Sequence, residues 1–325
     1  MRTSTKEDSR RISFYSRDAP IAQSRPYIDC FAPTGRHATS KPVAGGGDTE
    51  DDGRVFRTDP EEAAFLLYAR IAAYGFRRHS AYRAAAFAGA FTNTIFGILR
   101  AYVLIALWEA RPGLAGYAIA DAVTFCFLSQ AFIGPMQVFG GGLELAGRIR
   151  TGDIAVDLVR PASLQLWGLA DDLGRAGYLF LLRSLPPTVV GAALFGFVTP
   201  ATPATWGFFA ASCFLGVVVS FGWRYLTALS ACWILDDRGT QSLSLVVTLF
   251  FSGMVLPLNL FPGWLGTVAD ALPWSAMVQV PADVYLGKRD ALTALGFQAA
   301  WAAALLVMGA LATRAARHKV VIQGG

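Results

Sequence analysis

Residues 206–235 read WGFFAASCFLGVVVSFGWRYLTALSACWIL, thirty positions with one charge, Arg224. A helix needs about 20 apolar residues to cross the roughly 30 Å of hydrocarbon in a bilayer. This stretch has them with length to spare. Five more runs of the same kind flank it: 84–108, 117–139, 178–198, 241–257 and 292–312. Together they predict an all-α, polytopic helical membrane protein with six transmembrane helices. Composition agrees, because 54% of the 325 residues are hydrophobic and the mean hydropathy is +0.42. Soluble domains sit nearer 45–50% apolar.

Loop charge sets the expected orientation. Arg77, Arg78 and Arg83 precede the first span; Arg148, Arg150, Arg160 and Arg175 fall between the second and third. Arg238 lies between the fourth and fifth, and Arg314, Arg317 and Lys319 follow the sixth. The opposite loops hold only Arg111, Lys288 and Arg289. The positive-inside rule then predicts an inner (plasma) membrane protein with both termini in the cytoplasm, as an even number of spans requires. The net charge of +5 therefore reflects membrane topology. No basic stripe interleaved with aromatics points to nucleic acid.

Residues 1–58 mix Ser, Thr, Gly, Pro and both charge signs. Such a segment buries too little apolar surface to offset its ordering entropy, which predicts a disordered extension. The membrane domain is expected over 59–325. Asp59-Pro60-Glu61-Glu62 has the grammar of a helix start. The helix after it carries Arg70, Arg77 and Arg78 and is too polar to span, which predicts an amphipathic helix lying among the headgroups of membrane lipids.

Two connections carry further signals. In the first, Glu144 to Arg150 has helical spacing, Gly152 is placed as a C-cap, and Asp153 as the N-cap of a short helix that Pro161 stops. A second amphipathic stretch runs from Leu164 to Arg175. Such a structured, mixed-charge loop reads as a docking surface. In the second, Phe251 to Gly287 is apolar but repeatedly interrupted by Pro. It predicts short re-entrant helices between spans five and six, with Trp264, Trp274 and Tyr285 at the outer interface.

Charges inside the spans matter because an arginine at a helix centre costs at least about 2.5–3.5 kcal/mol. Arg100, Arg183 and Arg224 are such residues, and are candidates for the translocation path. Arg100, late in the first span, is expected either to snorkel outward or to pair with Asp121. Arg183 sits near its span's start and is expected to snorkel. Arg224 is expected either to meet an anionic substrate group or to pair with an acid elsewhere in the bundle.

Several classes are disfavoured. His37, His79 and His318 lie outside the predicted spans, and HExxH and GxSxG are absent from the sequence, so an integral membrane enzyme has little support. An ion-coupled secondary transporter usually needs an intramembrane acid relay, whereas here the deep charges are arginines. The four cysteines form no CxxC pair. No metal or cofactor site is predicted.

The ordered set of motifs resembles the permease subunits of ABC exporters of the type-2 class (ABC-2), in the six-span branch often described as an uncharacterised transport system. The matching residues begin with Ala81-Tyr82-Arg83 and Leu99-Arg100-Ala101-Tyr102. Glu144, Arg148-Ile149-Arg150-Thr151-Gly152-Asp153 and Asp157-Leu158-Val159-Arg160-Pro161 follow. Asp236-Asp237-Arg238-Gly239, the Ser252-Gly253 to Pro257 to Phe261-Pro262 stretch, and Val284-Tyr285-Leu286-Gly287 complete the set. The likeness covers roughly residues 60–325. It implies a passive channel subunit that dimerises with a second copy or a sibling permease and is powered by a separate ABC ATPase. The ATPase-coupling residues implied are Glu144, Arg148, Arg150, Gly152, Asp153, Asp157, Arg160 and Pro161. The sequence has no GxxxxGK[ST] phosphate loop of its own, so ATP would be bound by the partner.

Overall fold

A computed structural model describes residues 60–140, 143–159, 162–234 and 238–323. These belong to one compact unit, 57–325. The expected disorder of 1–58, the Asp59 cap, and the coupling residues Arg160 and Pro161 lie outside the described residues.

Every regular element among the described residues is helical. In chain order these are α1 (Pro60–Ser80), α2 (Arg83–Ala110), α3 (Ile119–Phe132), α4 (Glu144–Thr151), α5 (Ile154–Val159) and α6 (Leu164–Leu179). Then come α7 (Leu185–Phe195), α8 (Pro203–Leu229), α9 (Arg238–Phe251), α10 (Gly263–Ala271), α11 (Gln279–Tyr285) and α12 (Ala291–Gln323). Among the described residues, four continuous helices are long and apolar enough to cross a membrane: Arg83–Ala110, Leu164–Phe195, Pro203–Cys232 and Ala291–Lys319. They match the first, third, fourth and sixth expected spans. In place of the second and fifth stand α3 and α9, of 14 residues each. Each reaches about 21 Å, short of a hydrocarbon core of about 30 Å.

The third spanning helix starts at Leu164 rather than near Tyr178. The stretch expected to be a separate loop helix continues straight into the span, because no helix breaker occurs before Pro186-Pro187. Those prolines lack N–H donors and crowd the preceding turn. The chain accommodates them with a π-helical turn, Phe180–Ser184, between α6 and α7.

Small residues set the packing. The buried stripe of α2 runs Ala86, Ala90, Asn93, Gly97, Ala101 and Leu104 at helical spacing, and it faces α3 and α7. The Phe127 ring of α3 lies against Gly97 of α2 and Gly191 of α7. Such close approach is how membrane helices gain dispersion energy without a solvent-driven term. On the other side of the bundle α8 packs along α12, with Gly222 against Leu305. Helix α11 is wholly buried and contacts α3 and α8. Tyr285, expected at an interface, is instead inside, edge-on to Trp206 and Phe209. Trp274 packs on Trp223 and Phe251. Only Trp264 of the three is widely exposed, at 76%.

Helix α1 packs along α6, so protein covers one face of the helix expected among the headgroups. Gly75 faces the backbone of Asp171, and Gly174 faces the Ala72 carbonyl so closely that any Cβ would collide with backbone. Gly174→Ala is therefore expected to separate α1 from α6 and lower the unfolding temperature in detergent. Gly296→Ala, where a Cβ meets open space, is expected to leave it unchanged or slightly raised, as Ala for Gly is worth up to about 1 kcal/mol in a helix. Thermal unfolding of the two variants checks this.

Candidate functional site

The expected docking loop is an elbow of two short helices. Helix α4 ends at Gly152, which is left-handed at φ 83° and donates its N–H to the Ile149 carbonyl. Glycine takes that conformation without a Cβ penalty. Arg148 and Arg150 sit in the last turn, where cations suit the helix dipole. The Asp153 carbonyl accepts the Val156 N–H, opening α5. The Asp153 carboxylate accepts the Thr151 hydroxyl at 2.8 Å. Arg148 Nε donates across the elbow to the buried Asp157 carboxylate. That hydrogen bond holds the Arg148 pKa above its ordinary value.

The elbow is fixed to the bundle from behind. Leu145, Ala146 and Ile154 cluster with Phe221, Tyr225, Ala228 and Leu229 at the end of α8. Glu144 accepts from Arg78 at 3.3 Å, and Arg78 also pairs with Asp171 of α6 at 3.0 Å. The last turn of α1 thus ties α4 to α6. Arg70 and Arg77 are exposed on α1. The outer side of the elbow is open: Arg150, Thr151, Gly152 and Asp153 are exposed. Val156 and Val159 expose 63% and 85% of their surface. The arrangement is a rigid knob with two apolar contacts and a polar rim.

Behind the knob lies a buried charge cluster. Arg224 of α8 reaches Asp172 of α6 through two bonds, Nη2 to Oδ2 at 2.6 Å and Nη1 to Oδ1 at 3.3 Å. Its Nε donates to Ser220 at 3.2 Å. Arg175 Nε donates to the same carboxylate at 2.8 Å. Its two terminal nitrogens donate to the carbonyls of Gly134 and Pro135 at 3.0 and 2.8 Å. Ser220 Oγ donates to the Met136 carbonyl. Three consecutive carbonyls are thereby satisfied just where the chain leaves the α3 helix, near Gln137 with its positive φ of 49°. Of the two sequence-derived alternatives for Arg224, the structure provides the intramolecular acid. Asp172 and Ser220 were not among the candidates, and Arg175 was read as a loop charge. The uninterrupted helical pattern from 164 to 185 was the signal that Asp172 and Arg175 sit on a spanning helix.

Arg100 donates to the Ser129 hydroxyl and the Val255 carbonyl. The expected pairing with Asp121 is replaced, because Asp121 pairs with Lys288 at 2.6 Å. Arg183 projects from the π turn, and its Nε is buried without a hydrogen-bond partner. The three candidate path arginines are thus in three separate settings. Arg224 lines a cleft between α8 and α9, with Gln137, Trp223, Gln241, Ser244 and Thr248 also on its walls. A hydrogen bond from Trp223 Nε1 to Ser244 at 2.7 Å crosses between the two helices there. Among the described residues, no group of His, Cys, Asp and Glu is arranged to hold a metal ion.

Among the described residues, four long apolar helices with glycine-mediated packing define a multi-pass membrane protein. A family model described as ABC-2 family transporter protein matches residues 94–324. The chain belongs to that family, as a membrane component of an ABC transporter. No characterised protein and no solved structure gives a significant match.

The charge cluster makes a definite prediction. Asp172→Asn removes the carboxylate that Arg175 and Arg224 share in a buried site, a change that typically costs about 3–5 kcal/mol. The variant is expected to unfold at a markedly lower temperature. Adding Arg224→Gln is expected to recover part of that loss, since Arg175 keeps its two carbonyl partners. A double-mutant cycle by thermal unfolding gives the coupling directly.

Proposed function

We propose that this chain is the permease subunit of an ABC exporter, forming the translocation pathway and driven by a separate ATPase subunit. The observation that carries the reading is the α4–Gly152–α5 knob, exposed at Val156 and Val159 and braced by Arg78, Glu144 and Asp171. A lever must be stiff and must present a surface to its driver. Family membership supplies the class of driver.

In this reading the membrane is crossed six times. Helix α3 with residues 133–139, and α9 with residues 252–257, make the second and fifth crossings as helix plus unwound segment. Unwound backbone at membrane depth is tolerated where protein satisfies it, and the carbonyls of Gly134, Pro135 and Met136 meet that condition. Helices α10 and α11 then act as re-entrant elements at the outer end. The arginines that precede α2 and follow α12, with those of the knob, favour a cytoplasmic location for both termini, in the plasma membrane. Two permease chains, identical or sibling, pair to enclose the path among membrane lipids, and the partner ATPase binds the ATP. Neither a cofactor nor nucleic acid has a role. Arg100, Arg183 and Arg224 are the basic residues offered to the path, and Arg224 also lines the α8–α9 cleft. Asp172 is held by two guanidinium groups and is poorly suited to relay a proton.

The test is co-purification with an ABC ATPase subunit from the same cells. Val159→Asp, Asp153→Ala and Arg150→Ala are each expected to lower ATPase retention, by about tenfold for V159D if it removes an interface anchor, with the unfolding temperature of the permease unchanged. Unchanged retention in all three variants removes the docking assignment. ATP-dependent efflux from proteoliposomes, absent without the ATPase, tests direction and power source together.

A further inference from the structure

Arg183, one of the arginines offered to the path, has surroundings that define its ligand more closely. It projects from the π turn Phe180–Ser184, a geometry often found at functional positions. Two glycines make room for it. A Cβ on Gly89 of α2 would fall 2.7 Å from Arg183 Nε, and one on Gly134 would fall 2.9 Å from its Cδ. Its neighbour Ser184 is already engaged with the Ala131 carbonyl. Arg183 Nε is shielded from solvent and has no hydrogen-bond partner. No ion pair to Arg183 exists among the described residues. An arginine within a span must pair, snorkel or face water. Arg100, Arg175 and Arg224, by contrast, are hydrogen-bonded within the chain.

The surroundings say what the missing partner is. Gly89 lies six residues after the start of α2, about 9 Å along the helix axis. Helical side chains lean toward their helix N-terminus, so Arg183 leans toward the same end of the bundle, the one bearing α1 and α4. That places its guanidinium near the headgroup layer of the leaflet on that side. Thr92 and Phe96, three and seven residues beyond Gly89 on the same face of α2, are exposed. Phe96 exposes 57% of its surface there. A cation at headgroup depth beside an exposed apolar side chain matches an amphiphile with an anionic head and acyl chains.

We propose that Arg183, cradled by Gly89 and Gly134, binds the phosphate of one resident acidic phospholipid from that leaflet. The binding does not depend on the ATPase, so its failure and the failure of the permease reading are distinguishable. The test is native mass spectrometry of the purified full chain from micelles containing either phosphatidylglycerol or phosphatidylcholine. The wild-type protein is expected to retain one phosphatidylglycerol under conditions that strip phosphatidylcholine. Arg183→Gln is expected to lower retention about fivefold, the effect of about one basic side chain at a membrane surface. Arg183→Lys is expected to be intermediate, and Gly89→Ala to weaken retention by displacing the guanidinium. Equal retention of the two lipids by the wild type overturns the proposal and requires no variant to fold. So does undiminished phosphatidylglycerol binding by a monodisperse R183Q protein. Inorganic phosphate alone is expected to leave no retained adduct. An Arg183-dependent phosphate adduct in lipid-free detergent would reassign the site to a free anion.

Discussion

Asp172 between Arg175 and Arg224 is the contact on which the architecture rests. Two guanidinium groups share one carboxylate in a buried site, and their remaining donors go to the backbone where α3 comes to an end. Without them, the Pro135 carbonyl would be stranded in a low-dielectric interior, at a cost of several kcal/mol in hydrocarbon, and the Gly134 carbonyl would keep only the Gln137 N–H. The cluster therefore explains how an unwound segment survives between α6 and α8. It also explains why these helices cannot slide past one another freely.

The same few residues of α6 reach the knob. Asp171, next to Asp172, takes Arg78 of α1, and Arg78 takes Glu144 of α4. One acid thus faces the bundle interior while its neighbour faces the docking element. Gly75 and Gly174 let α1 and α6 lie close enough for those pairs to form. A displacement of the elbow would be carried to residues 133–139 through short ionic links and a helix pair locked by backbone contact. On the other side, the apolar contacts of Leu145 and Ile154 with Phe221 and Tyr225 carry it to α8. Arg148 and Asp157 keep the elbow itself rigid.

Much of this was legible in the sequence. The apolar runs located all four long helices, because crossing a bilayer demands about 20 apolar residues wherever the fold places them. Gly152 read as a helix end for the same reason that it is one, its tolerance of positive φ. Three readings went astray for physical reasons. Polar residues at Leu164–Arg175 suggested a loop, yet Asp172 and Arg175 neutralise each other inside a helix and leave it intact. Tyr285 has the chemistry of an interfacial aromatic, but partners on α8 bury it. Asp121 and Arg100 were matched by sign and depth, while the fold brought Lys288 to the acid. Pairing partners of this kind are set by helix rotation, which periodicity alone does not fix.

The central claim is that the α4–Gly152–α5 knob faces the compartment holding the ATPase and is covered by it. Cysteine accessibility tests it directly. In a chain with its native cysteines replaced, V159C is labelled with a membrane-impermeant maleimide, in intact cells and in inside-out vesicles. The account predicts labelling only in the vesicles, and protection once the ATPase is bound. Labelling of V159C from the outside of intact cells would contradict it.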